Sequence, residues 1–330
     1  MRKLFPILVT AIGVCRAQQP VQFQGIVSGW VQDPPTQSIR IINGMPGAAL
    51  LGRAVASDLR WSSIAPGSNA KAIAIRNGEA AEAIFLQGAN ITPVEGLAGS
   101  VPQLAAWTPD AKTVVLFWSD SRTAQIVRID GDGRATAAPQ FAIANLPERA
   151  QETDQKTGGI ASVAAGPDAF YFTLTGVAGI YKANLENDAA AELIAPAVDA
   201  STLAVGAGKI WTIDRTSHSL LEIPMAGGDA NSVFSDADVL SDISAVQVST
   251  DRKALYLANA STRRLYRLDL TSKLVDGTPA ELDAVAAMIE PLARPAMFLL
   301  GVRKSGEEPV YIWDEASGNV FFVPNGGDSN

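Results

Sequence analysis

Residues 248–272 read VSTDRKALYLANASTRRLYRLDLTS. An apolar run rich in branched and aromatic side chains meets a small polar tip near Ser261, and a second apolar run follows. That order spells a β-hairpin, with strands of five to seven residues around a turn. Six more segments share its shape: Ser28–Asn43, Lys71–Gln87, Thr113–Asp130, Ala169–Asn184, Lys209–Pro224 and Val310–Pro324. Their tips fall near residues 34, 78, 121, 176, 216, 261 and 316. A recurrence near every 43 residues, stretched twice to 55, is the spacing of four-stranded propeller blades.

Short runs of small residues precede most hairpins: Leu104–Asp110, Ala161–Asp168, Leu203–Gly208 and Ala245–Asp251. They suit innermost strands crowded around a central channel. The expected fold is therefore an all-β, single seven-bladed β-propeller of four-stranded antiparallel blades, or six blades if a terminal hairpin is an appendage. The last hairpin ends at Pro324, so Val21–Val27 is expected to add the outer strand that closes the ring.

Two long insertions interrupt the repeat. Asn145–Thr157 is polar and reads as an exposed loop. Thr278–Glu290 carries a helix-start pattern, with Thr278 as cap, Pro279 in the first turn and Glu281 three residues after the cap. The rival reading makes Val285–Ile289 the outer strand of the sixth blade.

Val248–Ser272 resembles the YVTN-type propeller repeat, and Leu203–Gly228 resembles an NHL-type repeat. The resemblance implies the propeller fold and leaves function open, because such repeats carry many activities. Propeller lactonases and lyases that resemble these repeats generally use histidines, or Asp, Glu and Asn around a divalent metal in the channel.

The chain has 330 residues, 34 acidic and 26 basic, with one Cys and one His. A formal charge of −8 argues against nucleic-acid binding. One Cys and one His exclude cysteine zinc sites and multi-histidine metal centres. Residues 1–17 read as a secretory signal peptide: Arg2 and Lys3, the apolar run Leu4–Val14, then Cys15-Arg16-Ala17. Lipidation at Cys15 is the alternative, disfavoured by Val14 before it. Residues 18–330 form the propeller domain, expected to be secreted or periplasmic and monomeric, with no membrane span after the leader.

Candidate chemistry is sparse. His218 lies in a hairpin tip between Ser217 and Ser219, with no Gly-x-Ser-x-Gly elbow in the chain. Asp33, Glu79, Asp120, Asp214 and Asp314, with Glu315, mark hairpin tips that would form an acidic ring around one channel mouth. Trp61 and Trp107 lie in innermost strands and could stack a flat ligand. Asp58, Asp199 and Asp242 precede innermost strands and are the regular candidates for a Ca2+ or Mg2+ site. No cofactor is otherwise expected. These features favour a non-enzymatic scaffold that contacts an extracytoplasmic protein or glycan through one channel face. The alternative is a metal-dependent, lactonase- or lyase-like propeller enzyme.

Overall fold

The computed structural model describes residues 26–67, 70–78, 82–97, 99–148, 158–186, 190–196, 198–301 and 308–326. The leader and Val21–Gly25 lie outside them. The strands gather into seven antiparallel sheets, the blades of a seven-bladed β-propeller. In blades two to seven the innermost strands are Leu59–Ile64, Leu104–Trp107, Ile160–Ala165, Ala200–Gly206, Ile243–Val248 and Glu290–Pro291. The second strands are Lys71–Arg76, Thr113–Trp118, Ala169–Leu174, Lys209–Asp214, Ala254–Asn259 and Met297–Leu299.

Blade one shows three strands among the described residues: Val27–Asp33, Ser38–Asn43 and Leu50–Ala56. Val27–Asp33 occupies the second-strand place. Its tip residue Gln37 accepts from Leu59 N, at the start of blade two's innermost strand (2.8 Å). The tip residue Arg122 of blade three likewise reaches Gly158, just before blade four.

Second strands are buried on both faces, which explains their continuous apolar sequence. In Thr113–Trp118, Val114, Leu116 and Trp118 pack toward blade two, while Val115 and Phe117 pack toward blade four. The core is therefore divided into seven apolar clusters, one at each junction between neighbouring blades. Aromatic contacts reinforce two of them, Phe117 on Phe170 (5.3 Å) and Tyr256 on Trp313 (4.4 Å). Innermost strands approach so closely that Gly206 leaves no room for a methyl group. A Cβ there would lie 2.7 Å from Val248 Cγ2.

Among the described residues the ring closes through the stretch after blade seven, and residues 21–25 of the strand expected at Val21–Val27 lie outside the described residues. Residues just past an outer strand bridge in parallel to the outer edge of the next blade, as in Glu95–Thr136 and Ala144–Ala190. The same link joins blade seven to blade one through Asn325 and Leu51. Leu51 N donates to Pro324 O (2.9 Å), and Gly326 N donates to Leu51 O (3.1 Å). Blade seven already has an outermost strand, Asn319–Val323. Its hairpin Val310–Pro324 supplies the third and outermost strands, whereas the other six hairpins supply the second and third.

The insertions also differ from expectation. Thr278–Glu290 forms no helix, and Val285–Ile289 forms no strand. The outer edge of blade six is split between Leu274–Val275 and Ala280–Glu281. Leu282, Ala286 and Ile289 are instead drawn into the cluster between blades six and seven, and that burial overrides the weak local helix signal. The helix that does form among the described residues is Ala237–Leu240. Asp236 caps it, its carboxylate accepting from Asp238 N and Val239 N. Of the other insertion, residues 149–157 lie outside the described residues.

Candidate functional site

Antiparallel pairing fixes which ends share a face. The tips between second and third strands, and the starts of the innermost strands, lie on one face. The turns between innermost and second strands, and between third and outermost strands, lie on the other. Asp120, Asp214, Asp58, Asp199 and Asp242 are on the first face, and Glu79 lies outside the described residues.

The acidic ring does not close. Asp314 pairs with Met297, at the start of blade seven's second strand, so it belongs to the opposite face. That reversal follows from the one-strand shift of the last hairpin. Asp33 is on the first side but fully buried. It accepts from Thr36 Oγ1 (2.8 Å) and pairs with the buried Arg40 guanidinium at 3.5 Å. Burial pushes the Asp214 carboxyl up, yet hydrogen bonds from Ser217 and from backbone N–H groups including Asp199 hold it below the usual carboxylate range.

The metal candidates do not converge. Asp199 Oδ1 is engaged by Arg215 Nη2 at 2.5 Å. Asp58 and Asp242 are exposed at the starts of blades two and six. Among the described residues no three His, Cys, Asp or Glu side chains come together as a cation would require. These residues do not fit a Ca2+ or Mg2+ site.

The two innermost-strand tryptophans pack into the junction between blades two and three. Trp107 is buried and donates from Nε1 to Ser63 Oγ (2.9 Å), and half-buried Trp61 packs against the same cluster. His218 sits in its tip with φ 47°, and its Nδ1 is buried without a hydrogen-bond partner. Asp214 bonds Ser217 and leaves the imidazole out, so no triad forms.

A carboxylate that the sequence reading passed over stands apart. Glu290 opens the innermost strand of blade seven, where Gly67 of blade two donates to Pro291 O (2.7 Å) across the inner edge of blade one. The two segments border a narrow cleft lined by Glu290 together with Trp30, Ile64, Pro66, Leu292 and Ala293. Its interior, about 10 Å3, has the room one water needs. Among the described residues, no hydrogen bond or ion pair reaches the Glu290 carboxylate. Burial pushes its carboxyl up to about 7. A group that exchanges its proton near neutrality beside a water-sized space has the properties of a general base. Nothing in the run Ile289-Glu290-Pro291 announces this, because the shift comes from burial, and part of the lining belongs to blades one and two.

Comparison with known proteins shows the same ring in solved structures. No protein-family model matches the chain, and no curated protein matches it in sequence. Solved structures do match in fold. A periplasmic gluconolactonase of Pseudomonas aeruginosa superposes with a TM-score of 0.61 at 13% identity, over 92% of this chain and 97% of that one. A putative 6-phosphogluconolactonase from Bacteroides fragilis gives 0.60 at 14% identity, over 90% and 92%. A virginiamycin B lyase from Staphylococcus aureus gives 0.52 at 14% identity, over 82% and 89%. At such identities the likeness shows the fold.

The reading of a non-enzymatic scaffold is overturned here. The neighbours carry the names of lactonases and a lyase, which favours the lactonase- or lyase-like alternative. The YVTN and NHL resemblances remain resemblances of two repeat units.

Proposed function

We propose that the protein is a lactonase-like propeller enzyme, in which Glu290 acts as general base. The observation that carries the reading is the half-buried, unpartnered Glu290 carboxylate beside a water-sized cleft. The fold shared with proteins named as lactonases supports it.

In the proposed reaction Glu290 takes a proton from water, and the water oxygen attacks the lactone carbonyl carbon. The tetrahedral intermediate then expels the ring oxygen, which takes the proton back from Glu290. Lactone plus water gives the hydroxy acid, and the carboxylate is restored. Only the deprotonated form can act as base, so the rate should rise with pH through about 7. The test is kcat/KM across pH on a panel of lactones, for the wild type and Glu290→Gln. A rising limb near pH 7 that the glutamine variant lacks supports the assignment. Equal turnover by the two proteins refutes it.

The same reading includes export: cleavage after Ala17 into a periplasmic or extracellular space. No helix among the described residues is long and apolar enough to cross a membrane, and one neighbour is named as periplasmic. N-terminal sequencing of the mature protein tests this, with Gln18 as the expected first residue.

A further inference from the structure

We propose that Asn77 is a self-modification site, where the folded chain converts its own asparagine to aspartate and isoaspartate. The sequence holds three Asn-Gly pairs: Asn43-Gly44, Asn77-Gly78 and Asn325-Gly326. Such a pair can cyclise because glycine has no side chain to keep its nitrogen away from the neighbouring amide carbon. What separates the three is whether the glycine N–H is already engaged. Gly44 N donates to Ile26 O (2.7 Å), and Gly326 N donates to Leu51 O (3.1 Å). Asn43 is further fixed in a strand paired on both sides, with Val27 and with Leu50. Its Nδ2 lies so close to Gly52 that a Cβ there would be 2.2 Å away. Gly78 is exposed at the hairpin tip of blade two, and its N–H makes no hydrogen bond among the described residues.

In the reaction Gly78 N attacks Asn77 Cγ and gives up its proton. The Cγ–Nδ2 bond breaks, and Nδ2 leaves as ammonia with that proton. Water then opens the five-membered imide at either carbonyl. Asparagine plus water gives an acid plus ammonia, and no other reactant is needed. Asn77 N donates to Asp58 O (2.7 Å), while Asn77 Nδ2 donates to Gln37 Oε1 (3.1 Å). The side-chain bond lies in solvent and restrains the amide weakly. It is lost with Nδ2. The new carboxylate then faces Gln37 Oε1, acceptor against acceptor, in the contact that joins the tips of blades one and two. Isoaspartate also adds one carbon to the main chain between residues 77 and 78. The modification therefore adds a negative charge to the face that carries Asp58 and loosens one inter-blade link.

Peptide mass mapping of the mature protein, held folded in mildly alkaline buffer, reads a gain of about one dalton at each modified pair. A backbone hydrogen bond that must open first lowers the reactive population by about tenfold. Asn77 should therefore lose its amide tenfold or more faster than Asn43 or Asn325, and the three rates should converge in urea. The proposal is overturned by a folded-state rate at Asn43 or Asn325 that matches Asn77. It is equally overturned if Asn77 stays intact while the unfolded chain loses its amides. Gly78→Ala should slow Asn77 by tenfold or more and leave the other two pairs unchanged. An undiminished rate in that variant, or a wild-type product that is aspartate without isoaspartate, means direct hydrolysis and refutes the cyclic route.

Discussion

Replacing Glu290 with glutamine removes a charge and keeps the shape of the side chain, so its effect on stability isolates what burial costs the carboxylate. Burial raises the Glu290 carboxyl from 4.5 to about 7. A displacement of that size corresponds to roughly 3 kcal/mol. The sign follows from proton counting. Between pH 4.5 and 7 the folded chain keeps a proton that the unfolded chain has lost, so stability falls as pH rises. The contribution is fully present below 4.5 and gone above 7.

Glutamine has no such dependence. Glu290→Gln should therefore gain about 3 kcal/mol over the wild type between pH 4 and pH 8. Other acids titrate alike in both proteins and drop out of the comparison. Urea denaturation followed by tryptophan fluorescence measures it. A change below about 1 kcal/mol would mean that the carboxylate is solvated or paired, and would remove the basis for Glu290 as base. The variant that is more stable at pH 8 is also the one expected to lose turnover, a trade commonly seen at active sites.

Three further outcomes follow from packing. Arg40→Ala strands the fully buried Asp33 charge and should cost about 3–5 kcal/mol, whereas Arg40→Met with Asp33→Asn should recover most of it in the same urea titrations. Gly206→Ala forces a methyl group into Val248 and should destabilise by about 1–3 kcal/mol. Val248→Ala in the same chain should restore part of that loss, and a double-mutant cycle reads the coupling. A chain ending at Val323 lacks both backbone bonds to Leu51 and should lose about 1–3 kcal/mol, seen as a lower urea midpoint.

Much of the ring could be read from local pattern. Ala169–Asn184 and Lys209–Pro224 were delimited to the residue, because their strands are continuous apolar runs and their tips are sharp. Blade seven was harder. Its second strand, Met297–Leu299, is three residues long, so the eye settles on the stronger hairpin that follows and misplaces Asp314 by a whole face.

Asp33 looked like a surface acid because it ends a strand before two prolines. Only the register, which sets Arg40 opposite Val31 within reach, shows that it is buried and paired. Glu290 was least legible of all. Beside Pro291, Leu292, Ala293 and Leu299 of its own blade, its cleft is lined by Trp30, Ile64 and Pro66, more than two hundred positions away in sequence.

The bond between Leu51 and Pro324 also sets an order of events. Six of the seven junctions join blades adjacent along the chain, so each can form once its two blades exist. The seventh needs residues from almost opposite extremes of the propeller. A nascent chain that stops short of Pro324 can stack blades into an open arc but cannot lock it. If the chain is exported as proposed above, the latch can close only after Pro324 has crossed.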